Sequence, residues 1–324
     1  DAPKKEVIVV PDNQEPIISM FEDPEMTETS ATLFIKRQAL PKQYNNTVVA
    51  EQLDLIAALA EDMANARLQE IKMKPNAPFT SANFMNGGIG ICSTLACAGV
   101  GVNTQDGKLL AGFEAAYTEL ERIRRHGFTE GELERAKAQV LRREEQAYMN
   151  RNDRMNGQYV NRYLSAFRRN SAFPAAELEW KMDSAIIAQL PLIAINQTFA
   201  SYITDHNNVV IVNAPKKEGV VNPTEAQILE VMAKVKGSQI DPYQDNTVKE
   251  PLIAPNAKLK GSKVKKSGAN ATLGTTEWTL KNGVKVVAHV QQERIFPCTD
   301  GNQRLTPKDR QIDRIQNQLG QNTG

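Results

Sequence analysis

Hydrophobic and polar positions in this chain alternate with two periods, and the switches between them mark the elements. Glu6 to Val10, Pro16 to Phe21 and Thr29 to Lys36 read as short strands, the first two separated by a Pro-Asp turn. Asn45-Asn46-Thr47 then announces a helix. Val49, Leu53, Ile56, Ala60 and Met63 follow at helical spacing, and the helix stops before Pro75. Asn83 to Lys108 is rich in glycine, alanine and small apolar residues and reads as two strands ending in an Asp-Gly turn. Glycines inside a strand signal a bulge or the close approach of another backbone.

A helical block comes next. Leu109, Phe113, Ala116, Leu120 and Ile123 form one apolar stripe closed by His126-Gly127. Thr129 and Glu132 are spaced as a capping box for a charge-rich, solvated helix. Met155, Tyr159, Tyr163 and Phe167 mark another helix. A further one follows Pro174, with Leu178, Met182 and Ala185 inward, and Pro191 starts a fresh helix to Tyr202. Asn208 to Asn213 reads as a buried strand and Pro223 to Lys236 as one more helix. Residues 237–276 have linker composition, and Asn282-Gly283 between alternating runs signals a hairpin. From Gln291 onward the chain is polar and aperiodic, with the composition of a disordered tail.

Composition changes this picture little. With 324 residues, 41% hydrophobic and 24% charged, the chain is ordinary globular material. Lys and Arg number 39 against 38 for Asp and Glu, so no global charge argues for nucleic acid or an anionic membrane. The cluster Arg122 to Arg125 reads as a solvated helix face and Lys258 to Lys266 as linker. Cys92, Cys97 and Cys298 are too few and too scattered for a disulfide framework, and the first two read as small residues of a strand-like run. No apolar run is long enough to span a bilayer. The N-terminus lacks the layout of a signal peptide and reads as a start inside a longer polypeptide.

Several segments, in order, resemble the pitrilysin/insulinase-type (inverzincin) zinc metallopeptidases. They are DPEMTETSATLFIKR, the small-residue strand pair ending in DGKL, GFEAAYTELERIRRHGFTEGELERAKAQVLRREE, NNVVIVNAP and TEWTLKNGVKVV. The match covers roughly residues 15–290 and is to the second domain and inter-half linker of a large single-chain bacterial member. The resemblance implies 1–215 as a non-catalytic domain and 216–275 as a linker with one helix. It implies 276–290 as the opening hairpin of a truncated next domain; 291–324 match nothing. The family's catalytic domain carries an H-x-x-E-H helix, two His on one helical face as zinc ligands with a Glu as general base. Here His126, His206 and His289 stand alone, so neither that motif nor its reverse exists.

The resemblance therefore implies a chain without catalytic or metal residues. It forms part of the wall of a substrate chamber, and the zinc resides in a missing N-terminal catalytic domain. Partners are that domain, the C-terminal half and an unstructured peptide, with no nucleic acid and no membrane span. Some members hold substrate on an edge strand of the second domain, and Met85, Asn86 and Gly87 are the matching positions here. Glycine there lets another backbone approach; the alternative is a strand packed on its own domain with a bulge at Gly87-Gly88. A different class of function is an inactive scaffold or peptide-binding subunit. The compartment stays open between the bacterial cell envelope and the cytoplasm. The fold expected is a two-layer α+β domain, a mostly antiparallel sheet covered on one face by helices 47–73, 109–126, 130–150 and 175–202.

Overall fold

The structure, a computed structural model, describes residues 7–90, 92–246 and 261–289. They form two compact units, 7–246 and 261–289. The first is a two-layer α+β domain. Its strands are β1 (Ile17–Asp23), β2 (Thr29–Gln38), β3 (Ser81–Gly88), β4 (Leu95–Thr104) and β5 (Asn208–Pro215). They stand in the order β1-β5-β2-β4-β3, antiparallel except for the β1–β5 pair. Period-two alternation decides which face is covered: Ala31, Leu33 and Ile35 of β2 and Val210 and Val212 of β5 are buried, while Thr32, Phe34, Val209 and Ile211 are half-buried.

The covering layer is helical: α1 (Val48–Lys72), α2 (Leu109–His126), α3 (Glu130–Met149), α5 (Ala176–Gln189), α6 (Leu192–Tyr202) and α7 (Glu225–Gly237), while α4 (Asn156–Arg169), between α3 and α5, buries no residue. Local chemistry starts and stops them as the sequence predicts. The Thr47 side chain accepts from Ala50 N–H at the head of α1. Thr129 and Glu132 close both bonds of a capping box on α3, and Gly127 (φ 72°) terminates α2. The α2 stripe is fully internal, with Leu109, Phe113, Ala116, Leu120 and Ile123 all buried.

Several expectations change. Val7 to Val10 is not a strand but exposed coil, since no neighbouring strand pairs with it. In α1 the buried face runs through Leu55 and Leu59 together with Ile56, Ala60 and Met63, so Val49 is exposed and Leu53 only half-buried. The helical stretch 175–202 is two helices, α5 and α6, divided at Pro191 where the sequence reads a fresh helix. The one helix expected within the 216–275 linker is α7, and its Ile228, Val231, Met232 and Val235 lie in the main core with Ile240.

The second unit is a three-stranded antiparallel sheet of β6 (Val264–Asn270), β7 (Thr275–Leu280) and β8 (Lys285–His289). The hairpin expected at Asn282-Gly283 joins β7 to β8, with Gly283 at φ 87°. Strand β6 was expected as linker. It buries no side chain and is held by its backbone pairing to β7, so hydropathy carries no trace of it. The expected tail 291–324, with Cys298, lies outside the described residues.

Candidate functional site

Met85, Asn86 and Gly87 lie on β3, and β3 is an edge of the five-stranded sheet. Its register with β4 runs unbroken from Ser81 opposite Asn103 to Gly88 opposite Ala96, so no bulge interrupts it. Gly87 has φ 133° and nothing within 4 Å of where a side chain would start. Glycine is needed there for backbone shape, not for room. The side chain of Asn86 is held from inside the sheet: its Oδ1 accepts from Arg37 Nη2 at 2.8 Å, and that guanidinium lies over the Tyr202 ring at 4.1 Å. The close approach foreseen for the glycine-rich run occurs one strand inward. A Cβ on Gly99 of β4 would stand 1.9 Å from the Leu33 carbonyl oxygen of β2. An open groove of about 470 Å³ between α1 and α2, lined by Ile71, Lys74, Glu114 and Arg122 among others, shares no residue with this edge.

Behind the sheet lies a charged centre that periodicity conceals. Arg67 of α1 is 2% exposed. Its Nε and Nη2 donate to Glu132 at 2.6 and 2.9 Å, its Nη1 to Glu119 at 3.3 Å, and its Nη2 also to the Gly127 carbonyl at 3.0 Å. Tyr243 stacks on the same guanidinium at 4.1 Å. Burial alone lowers the Arg67 pKa, but the bonds and charges of Glu132 and Glu119 outweigh it and the net shift is upward. The helix spacing held the signal, because position 67 continues the stripe that runs through 56, 60 and 63. The Arg122 to Arg125 cluster is likewise no solvated face. Arg122 and Arg124 bond to the buried Glu119 and Glu121, and Arg125 donates to the carbonyls of Val235, Lys236 and Ser238 at the end of α7.

The histidines lie on three separate segments. His126 ends α2 and bonds through Nε2 to the Ile240 carbonyl at 2.7 Å, His206 is exposed before β5, and His289 ends β8 in the second unit. No three His, Cys, Asp or Glu side chains among the described residues are arranged to hold a metal ion. This donor set does not fit a zinc ion. Cys97 is buried in β4, its thiol pushed up to about 11 by burial. Cys92 lies before β4, not within a strand, and its Sγ meets the Ile8 carbonyl at 3.2 Å. No described helix is long and apolar enough to cross a membrane.

The chain is a one-sided, mostly antiparallel sheet under helices, and this fold is similar to solved structures of insulinase-type peptidases. The whole periplasmic protease PqqL of Escherichia coli superposes with a TM-score of 0.64 at 17% identity, covering 89% of this chain and 31% of that one. The first half of the same protease gives 0.63 at 17% identity, over 76% and 52%. By sequence, 172 residues are 21% identical to a "Zinc protease PQQL-like" protein of Arabidopsis thaliana, covering 53% of this chain and 18% of the relative. No protein-family model matches. The chain thus spans under a third of the full-length proteins it resembles.

Proposed function

We propose that this chain is a non-catalytic domain of a zinc-dependent, peptide-degrading metalloendopeptidase, and that it forms part of the substrate chamber wall. The zinc and its H-x-x-E-H helix belong to a catalytic domain elsewhere in the parent, and this chain holds no cofactor. Residues 1–215 and α7 make up the domain, and 276–290 open the next one. Substrate pairs with β3 at Met85 to Gly87 through main-chain hydrogen bonds, the mode of recognition least demanding of sequence. The observation that carries this reading is an open sheet edge at those residues, within the fold of peptidases whose full chains are far longer.

Amide exchange with and without a bound unstructured peptide tests it. Slowed exchange within 83–88 is the expected result. Protection on other strands, with 83–88 untouched, rejects it.

The second reading, a scaffold subunit, draws on α4. None of its residues is buried, and Phe167, Tyr163 and Val160 are 84%, 57% and 53% exposed. A contiguous apolar face of this kind is a contact surface. On the peptidase reading the rest of the parent polypeptide covers it. Capture of the missing catalytic domain by the chain, abolished by Phe167→Ser with Tyr163→Ser, favours the first reading.

A further inference from the structure

The β3 edge is not open along its whole length. Phe84 N–H donates to Asn65 Oδ1 at 2.7 Å, and Asn65 Nδ2 donates back to the Phe84 carbonyl at 3.5 Å. One side-chain amide thus meets both main-chain groups of one strand residue, as a residue of a neighbouring strand would. Asn65 does not swing freely into this position. It sits in α1 among the buried Met63, Ala64, Arg67 and Leu68, so packing fixes its backbone.

Along an edge strand, successive residues turn their N–H and C=O alternately toward the neighbour and away from it. Phe84 points away from β4, because its groups reach Asn65. By the same period Ala82, Asn86 and Gly88 point outward too. Phe84 is therefore a filled position between open ones. Beyond it the strand suits a visiting backbone: Arg37 holds the Asn86 side chain from within, and Gly87 and Gly88 present no side chains.

We infer that Asn65 is a positioning residue that sets peptide register, by occupying the strand position opposite Phe84 and confining an added peptide to 86–88. The ligand class that fits is the end of an extended chain, whose last pairing residue abuts the Asn65 amide. A long segment laid along all of β3 does not fit. This inference rests on the reading of β3 as a peptide-binding edge.

The test is residue-resolved amide exchange on the full chain, as wild type and as Asn65→Ala, with and without a synthetic proline-free Val/Thr/Ser peptide with free termini. Without peptide, the substitution speeds Phe84 exchange about ten-fold, the effect of one lost hydrogen bond. With peptide, slowing is confined to Asn86 and Gly88 in the wild type and extends to Phe84 and Ala82 in the variant. Asn65→Asp retains the acceptor for Phe84 N–H and keeps the footprint short, and it serves as the test if the alanine variant does not fold. A wild-type footprint that already includes Phe84, or an unchanged footprint in Asn65→Ala, overturns the inference while leaving the edge reading intact. Absence of slowing on β3 in both proteins rejects the edge reading, and the inference with it.

Discussion

Asp183 of α5 is 3% exposed, and its Oδ1 has no hydrogen-bond partner. Burial first, then the carboxylates of Glu51, Glu144 and Glu179, push its pKa from 3.8 up to about 7. A carboxyl whose folded pKa exceeds its unfolded value stabilises the fold below the unfolded pKa. That contribution is lost as pH rises through the folded pKa, near 7 here. Asp183→Asn keeps the neutral shape at every pH. It should leave stability at pH 4 nearly unchanged and raise it at pH 8 on the order of 2 kcal/mol. Denaturant midpoints at the two pH values check this. A smaller slope in the same direction should remain, because the pKa values of Glu51 and Glu144 are also raised, chiefly by burial. Nothing in the sequence announces this cluster, since its members come from α1, α3 and α5. Arg67 is different. It was legible as a helix position on the core side, yet its charge hid it, because periodicity counts apolar residues and misses a buried cation paired with two glutamates.

At the scale of elements, local signals were reliable wherever one residue's chemistry decides a boundary. The Thr129–Glu132 box, Gly127 and Gly283 all act where they were read. Signals failed where a neighbour decides. Val7 to Val10 has strand composition and pairs with no strand among the described residues, whereas β6 has linker composition and pairs with β7. The glycines of β4 show the same dependence. Composition indicated that some backbone comes close, and only the sheet identifies it as Leu33 at Gly99. Gly99→Ala should therefore force β2 and β4 apart and cost about 1–3 kcal/mol, the usual penalty of overpacking. Thermal unfolding of the variant measures it. The candidate positions Met85, Asn86 and Gly87 came from resemblance. The edge location of β3 follows from strand order, which no local pattern encodes, and the same holds for the Asn65 amide beside Phe84.

For the whole molecule, hydrophobic patterning was enough for an α+β domain with a one-sided sheet. The 1–215 boundary came from the resemblance, not from patterning, and what no pattern told is that the helix read after Pro215, α7, places Ile228 and Met232 in the core. On the proposed reading the H-x-x-E-H helix lies in another domain, so chemistry belongs there and substrate holding to these residues. The most direct measurement is zinc-dependent cleavage of an unstructured peptide, by this chain alone and by a polypeptide that joins it to an H-x-x-E-H catalytic domain. No cleavage by the chain alone and cleavage by the joined polypeptide are the expected results. In the latter, Gly87→Val, which strains the positive-φ position, should raise KM several-fold with kcat little changed. Zinc-dependent cleavage by this chain alone would contradict the proposed reading.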